Sequence, residues 1–482
     1  MSTQKFKLAL ISCAVIAAFP ITTLAATTLD NGYNKEMPAD GFIVQGGNTA
    51  SITGTDIVLD ELDGIGGEIL DSSKVTIGTD QTNSISLSTT NSALYIESSD
   101  TKLEAKTIAL SSSGSDTLSI REASNVFIGN ENTETITITS DATGGSGFAG
   151  IFMRNDGKDA GPTVKLKAQT INITTEDSGV WLQNGTEYTE TPDNRTHLTI
   201  SAENITINTP NGSGLRVFSN SKLDVEGNLV INAKDAIDTR GNSIINVNTS
   251  GKYSTVLNGD IVFETPNVKN GDSHLSGSII NSKVTVGLTG ENSSWTGRAY
   301  QSFPGNEDGV NLDGNDDFYG NVKDFTVSIS DGARWEMTGN SLANTVNVKN
   351  GGAVTVHENV AVANLQKVDL DNGILNLEGS SNQTVTVSTL SGSGDINVKA
   401  TTEDGKTLVT PKLAVNGVDP DEAPNLKVTA TGITADQIVD ADSAMKSLSD
   451  GLDLNGVNTV QTITEGDVNG AISQVIDAKG KA

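Results

Sequence analysis

The stretches KVTVGLTGENSSWTGRA (283–299) and FTVSISDGARWEMTG (325–339) follow one plan. Val284, Val286 and Leu288 alternate with small or polar residues in the first, and Phe325, Val327 and Ile329 do so in the second. Period-two alternation rich in β-branched residues is the signature of a strand with one buried face. A polar Gly-containing turn follows, then Trp295 or Trp335, then Thr-Gly. The chain holds only three tryptophans. Two of them in matching phrases mark equivalent positions of a repeat.

The repeat extends in both directions. NVKNG occurs at 267–271 and again at 347–351. Tyr253, Leu275, Val354 and Ile374 continue the tryptophan series in related phrases, at steps of about 20 or about 40 residues. Upstream, the segments 84–96, 107–120, 135–152, 171–182 and 205–217 each lead from a β-branched pair through Ser/Thr and small residues into a second strand. A short unit cannot bury its apolar face alone, whereas stacked units share a continuous core. The expected fold is all-β, a right-handed parallel β-helix with short helical segments near the C-terminus. Roughly 400 residues at about 20–30 per coil correspond to roughly 14–20 coils and a rod of roughly 70–95 Å. A β-sandwich array would instead repeat at about 100 residues. The tryptophans are expected to fill a corner of the core; the alternative is an exposed platform for sugar.

Lys5 and Lys7, an apolar run from Leu8 to Phe19 and small residues up to Ala25 form an export signal. Cys13 is the only cysteine and lies within it. LISC at 10–13 has the look of a lipoprotein box, but it sits inside the apolar run rather than at its end. Removal of residues 1–25 leaves neither a disulfide nor a thiolate site. A net charge of −29, spread along the chain, describes a solvated surface and argues against nucleic acid.

On the phrases at 283–299 and 327–341, with GGAVTV (351–356), LDNGILNLEG (370–379) and LSGSGDINV (390–398), the chain resembles the passenger of a classical autotransporter, type V secretion, with its pertactin-like C-terminal portion. The resemblance covers about 280–400 and extends weakly upstream. It implies a β-helix carried across the outer membrane by an outer-membrane β-barrel in cis. It divides the chain into a signal (1–25), an N-terminal β-helix with irregular coils (26–280), a pertactin-like portion (281–425) and a linker with two short helices (426–482). Ile438, Ala441, Met445, Leu448 and Leu452 form the first helical stripe, with a capping box from Thr434 and Gln437; Val468, Ile472 and Val475 form the second. Both stripes are expected to need a partner. The barrel that should follow is absent from this chain, so these residues alone are expected to stay in the periplasm, and the full-length protein to reach the cell surface or medium.

Catalytic signals are sparse. His197, His274 and His357 read as surface histidines. GDSH (271–274) lacks the last Gly of a serine-protease box and the histidine and aspartate context that chemistry needs. DGVNLDGNDDFYGN (308–321) resembles one calcium-binding nonapeptide unit, with Asp308, Asp313, Asp316 and Asp317 as ligands. Such sites draw ligands from tandem copies, and there is one copy, so no cofactor is expected and calcium is the single candidate. The expectation is a non-catalytic surface protein acting in adhesion, aggregation or biofilm contact, its receptor on a host or bacterial surface unidentified. The competing reading is an exported β-helix enzyme acting on polysaccharide. It requires carboxylates with Arg or Lys on one face of neighbouring coils, lined by aromatics.

Overall fold

The computed structural model describes residues 26–142, 148–156, 160–185, 195–264, 282–302, 324–418, 424–454, 456–463 and 472–476. Each coil is three strands joined by two bends. Thr49–Ile52, Asp56–Leu62 and Gly67–Ile69 form one coil; Lys74–Gly78, Ser84–Thr89 and Leu94–Glu97 form the next. The strands of these coils pair in parallel with their counterparts one coil away, which builds three faces around one core. Parallel pairing throughout the coils rules out a β-sandwich and gives an all-β solenoid.

Register is kept by columns of identical chemistry. On the second face, Leu59, Leu87, Leu110, Ile138, Ile173, Ile207 and Ile231 stack one per coil. The column continues through Leu257, Trp295, Trp335, Val354, Leu375, Ile396 and Val428 to Gln461. A slip of one residue would turn the whole apolar set outward, so the alternation in sequence fixes the register. On the first face a parallel column runs from Ile52 to Val418. Trp295 and Trp335 are fully buried, which places them in the core.

Two members of the expected tryptophan series fall elsewhere. Leu257, not Tyr253, pairs with Trp295. Tyr253 lies in the turn before the strand Thr255–Glu264. That turn is fastened by buried Asn248, whose φ is +47°, a conformation Asn tolerates better than most residues. Its amide nitrogen donates to the Gly227 carbonyl at 2.8 Å and to Thr255 Oγ1 at 2.7 Å. Leu375, not Ile374, pairs with Val354; Ile374 stands beside Ala353. Leu275 lies outside the described residues.

Outward positions on the first two faces carry polar ladders. Asn258 donates to Asn232 at 2.7 Å and Asn232 to Asn208 at 2.8 Å. Asp224 accepts from His197 Nε2 at 2.8 Å, Lys222 at 2.7 Å and Asn246 at 2.7 Å. Burial alone would raise this carboxyl, but those three donors hold it well below the usual carboxylate range.

Near the C-terminus, Thr434 and Gln437 do pair, with the Thr434 amide donating to Gln437 Oε1 at 2.8 Å, but around a 3₁₀ turn at Ala435–Gln437. The α-helix α1 (Ala441–Gly451) starts later, with Asp440 as its N-cap. Its apolar side is not left bare: Ala444, Met445 and Leu448 are buried in the solenoid core. The expected second helix is corrected by the strand Ile472–Ile476, which pairs antiparallel with Asn458–Ile463. Strand edges left open at the last coil favour that pairing over a short helix, which is marginal on its own.

Candidate functional site on the third face

The third face buries its inward residues as the others do: Leu94 and Ile96, Leu118 and Ile120, Ile151 and Met153, Val180 and Leu182, Leu215 and Val217. Its outward residues differ. Alternation along each strand brings Tyr95, Ser119, Phe152, Trp181, Arg216, Asp238, Val262 and Tyr300 into one column. Beside it run Glu97, Arg121, Arg154 and Gln183, and further along Phe218 and Arg240. Of seven arginines in the chain, Arg121, Arg154, Arg216, Arg240 and Arg298 gather here.

The guanidinium groups and rings interleave. Arg121 lies over Tyr95 and Phe152, with its centre 5.6 and 5.7 Å from the two ring centroids. Phe152 meets Trp181 edge to face at 5.3 Å. Arg216 covers Trp181 at 5.3 Å, Arg240 covers Phe218 at 4.3 Å and Arg298 covers Tyr300 at 4.0 Å. Such contacts gain most where water is excluded, and Phe152, Phe218 and Tyr300 are buried beneath them. Trp181 and Tyr95 stay half-buried.

Carboxylates complete the strip. Asp238 Oδ2 accepts from Arg216 Nε at 3.0 Å, and Asp260 from Arg298 Nε at 2.9 Å. Arg240 and Glu264 stand 3.8 Å apart. Asp235 and Asp260 are direct register partners at the corner leading into this face. Burial raises the carboxyls of Glu68, Asp235 and Asp238, the last also through repulsion by Glu264 and against the pull of Arg216. Burial pushes Asp116 up to about 7 despite the Ala149 N–H and Arg121, and Tyr300 up to about 12. Every described carboxyl that is raised lies on or beside this face; Glu131, Asp224, Asp404 and Asp440, elsewhere, are lowered. Perturbed groups gathered in one place mark a functional candidate. Several buried atoms also lack a hydrogen-bond partner among the described residues: Trp181 Nε1, Arg121 Nε, Asp235 Oδ1 and Asp238 Oδ1.

The residues singled out from sequence do not assemble with this strip. Asp308, Asp313, Asp316 and Asp317 lie outside the described residues, as do His274 and the rest of GDSH. Among the described residues no group of three metal-ligating side chains comes together. His197 is held by Asp224 on the first face. His357 stands between Glu336 and Glu378, 2.9 and 2.6 Å from its two ring nitrogens, beyond the end of the strip. Composition hides the strip, because aromatics make up only 4% of the whole chain. The available signal is local: Arg121, Arg154 and Arg216 sit in SIR, FMR and LRV, at outward positions of strands that follow the small-residue turns.

Among described residues no helix is long and apolar enough to cross a membrane. Set against known protein families, characterised proteins and solved structures, the chain matches none.

Proposed function

We propose that this chain is an exported autotransporter-type passenger, a right-handed parallel β-helix that makes non-catalytic contacts at a cell surface as an adhesin or aggregation factor. The observation that carries the reading is the third-face strip. It concentrates arginines and aromatics, the residue types that dominate contact surfaces, on one side of a solenoid whose other faces carry ladders such as Asn258–Asn232–Asn208, Lys222–Asp224–His197 and Lys283–Asp324. Repeat solenoids use such extended faces for binding. The signal-like residues 1–25 and the scarcity of cysteine support export, with a β-barrel expected in cis. The test is adhesion or aggregation of cells that display the chain through such a barrel. Loss on replacing Trp181 and Arg216 together by Ala, with folding intact, supports the reading; full adhesion in that variant overturns it.

One observation favours the enzyme reading as the second choice. Asp235, Asp238 and Asp260 with Arg216 and Arg298, among aromatics, are the carboxylate–cation grouping on neighbouring coils that a polysaccharide-cleaving site needs. Release of shortened products from a polysaccharide, abolished by Asp238→Asn, would establish it in place of the non-catalytic one.

A further inference from the structure

We propose that the outward strip of the third face, between Tyr95 and Tyr300, binds an uncharged glycan lying along the solenoid axis. The inference rests on reading this face as the contact surface, and it names the ligand.

Three properties of the strip select that chemistry. Charge comes first. Arg216 is matched by Asp238, Arg298 by Asp260 and Arg240 by Glu264. A sulfate or phosphate group laid along the strip would meet Asp235, Asp260 and Glu264, and a cation would meet the arginines. Neither sign is welcome over its length.

Unused hydrogen-bonding capacity is the second property. Trp181 Nε1 and Arg121 Nε are donors without a partner among the described residues, and Asp235 Oδ1 and Asp238 Oδ1 are acceptors without one. Asp238 is only 2% exposed, so its spare oxygen is costly to leave unmatched. A hydroxyl both donates and accepts, and a polyhydroxylated chain answers this mixed row where a purely accepting anion would not. Shape is the third. Trp181 and Tyr95 keep part of their ring surface open, while Trp295 and Trp335 are sealed in the core. Columns one coil apart repeat at about 4.8 Å, the scale of a single sugar residue in an extended chain.

The test uses the purified full chain on an array of neutral hexose and N-acetylhexosamine oligomers, with sialylated and sulfated glycans as the charged arm. Retention of one or more neutral glycans is expected, with affinity falling at least tenfold on Trp181→Ala and on Asp235→Asn and holding steady on Asn258→Ala, which lies on the second face. If either variant fails to fold, the wild-type chain supplies its own probe: glycan binding should protect Trp181 emission from acrylamide. Retention of charged glycans alone, retention of no neutral glycan, or binding that leaves Trp181 unprotected overturns the proposal. The contact reading fails separately. Neutral-glycan binding by a chain whose displayed form does not adhere keeps the ligand assignment and removes the adhesin, and adhesion without glycan binding does the reverse. Shortening of a bound glycan keeps the assignment and replaces the non-catalytic reading with the enzymatic one.

Discussion

Trp335 stacks on Trp295 one coil away, with ring centroids 4.3 Å apart and planes 9° from parallel. Each indole N–H reaches back one coil to a glycine carbonyl, Trp295 to Gly259 at 3.0 Å and Trp335 to Gly297 at 3.2 Å. The Thr-Gly that follows Trp295 therefore has a role: Gly297 leaves room beside the indole, since a Cβ there would come within 2.2 Å of the Gly259 carbonyl oxygen. The pair occupies the column that Leu257 and Val354 occupy on either side.

Removing one ring should empty a large part of that column. Trp335→Ala is expected to cost about 3–5 kcal/mol of stability, and Trp335→Phe distinctly less. Denaturant unfolding followed by circular dichroism checks this, and an unchanged midpoint for the alanine variant would remove the core assignment.

Gly78 marks the bend between the first and second faces at a φ of +78°, and a Cβ there would meet the Glu104 carbonyl oxygen at 2.2 Å. Gly78→Ala is expected to destabilise by well over ~1 kcal/mol, because both backbone strain and a backbone clash oppose it. A melting temperature equal to that of the parent chain would contradict the prediction.

Stability should depend on pH with an acidic optimum. A carboxyl raised by folding keeps its proton after the unfolded chain has lost its own near ~3.9, so stability falls as pH rises towards the folded value. Asp116 reaches about 7, and Asp238 shifts in the same direction. Each group contributes a slope of at most about 1.4 kcal/mol per pH unit. Asp224 acts oppositely: its depressed carboxyl stabilises above the unfolded value and that gain is lost as pH falls below it. These groups together place maximum stability near about pH 4. Asp238→Asn should flatten the decline from about pH 4 to about 7, and melting curves across that range give the answer; an unaltered slope would show that Asp238 does not titrate there.

Deletion of 308–321 should leave the coils in place. Val284 pairs with Phe325 across the intervening residues, and Val327 pairs onward with Val346, so register is set by strands on both sides. The far-ultraviolet circular dichroism of the deletion variant should match the parent. Collapse of the β signal would show that the segment is needed for folding.

Much of the fold is legible because alternation fixes which side of a strand is buried, and the phrases at 283–299 and 325–339 repeat that alternation. Position along the column is harder. Tyr253 and Leu257 both follow a Gly-containing turn, and only the fastening of that turn by Asn248 decides which one enters the core. Ile374 and Leu375 are adjacent apolar residues, and the register shift between Asp371 and Gly373 accompanies the choice of Leu375. Val468, Ile472 and Val475 fit a helical stripe, yet the pairing of Val475 with Val460 is a tertiary fact that local spacing does not carry. The third-face strip was the least visible, because its residues are up to 205 positions apart, as Tyr95 is from Tyr300, and meet only once the coils are counted correctly.

The antiparallel strand at Ile472–Ile476 has a consequence for assembly. A stack of parallel coils is a template, since each rung offers the next a row of amides and carbonyls of the same polarity. A second molecule could in principle continue it and begin a fibre. Ile472–Ile476 runs the other way against the last second-face strand, Asn458–Ile463. It takes up that row and reverses its polarity, so on this face a second molecule cannot add a parallel coil directly onto Asn458–Ile463.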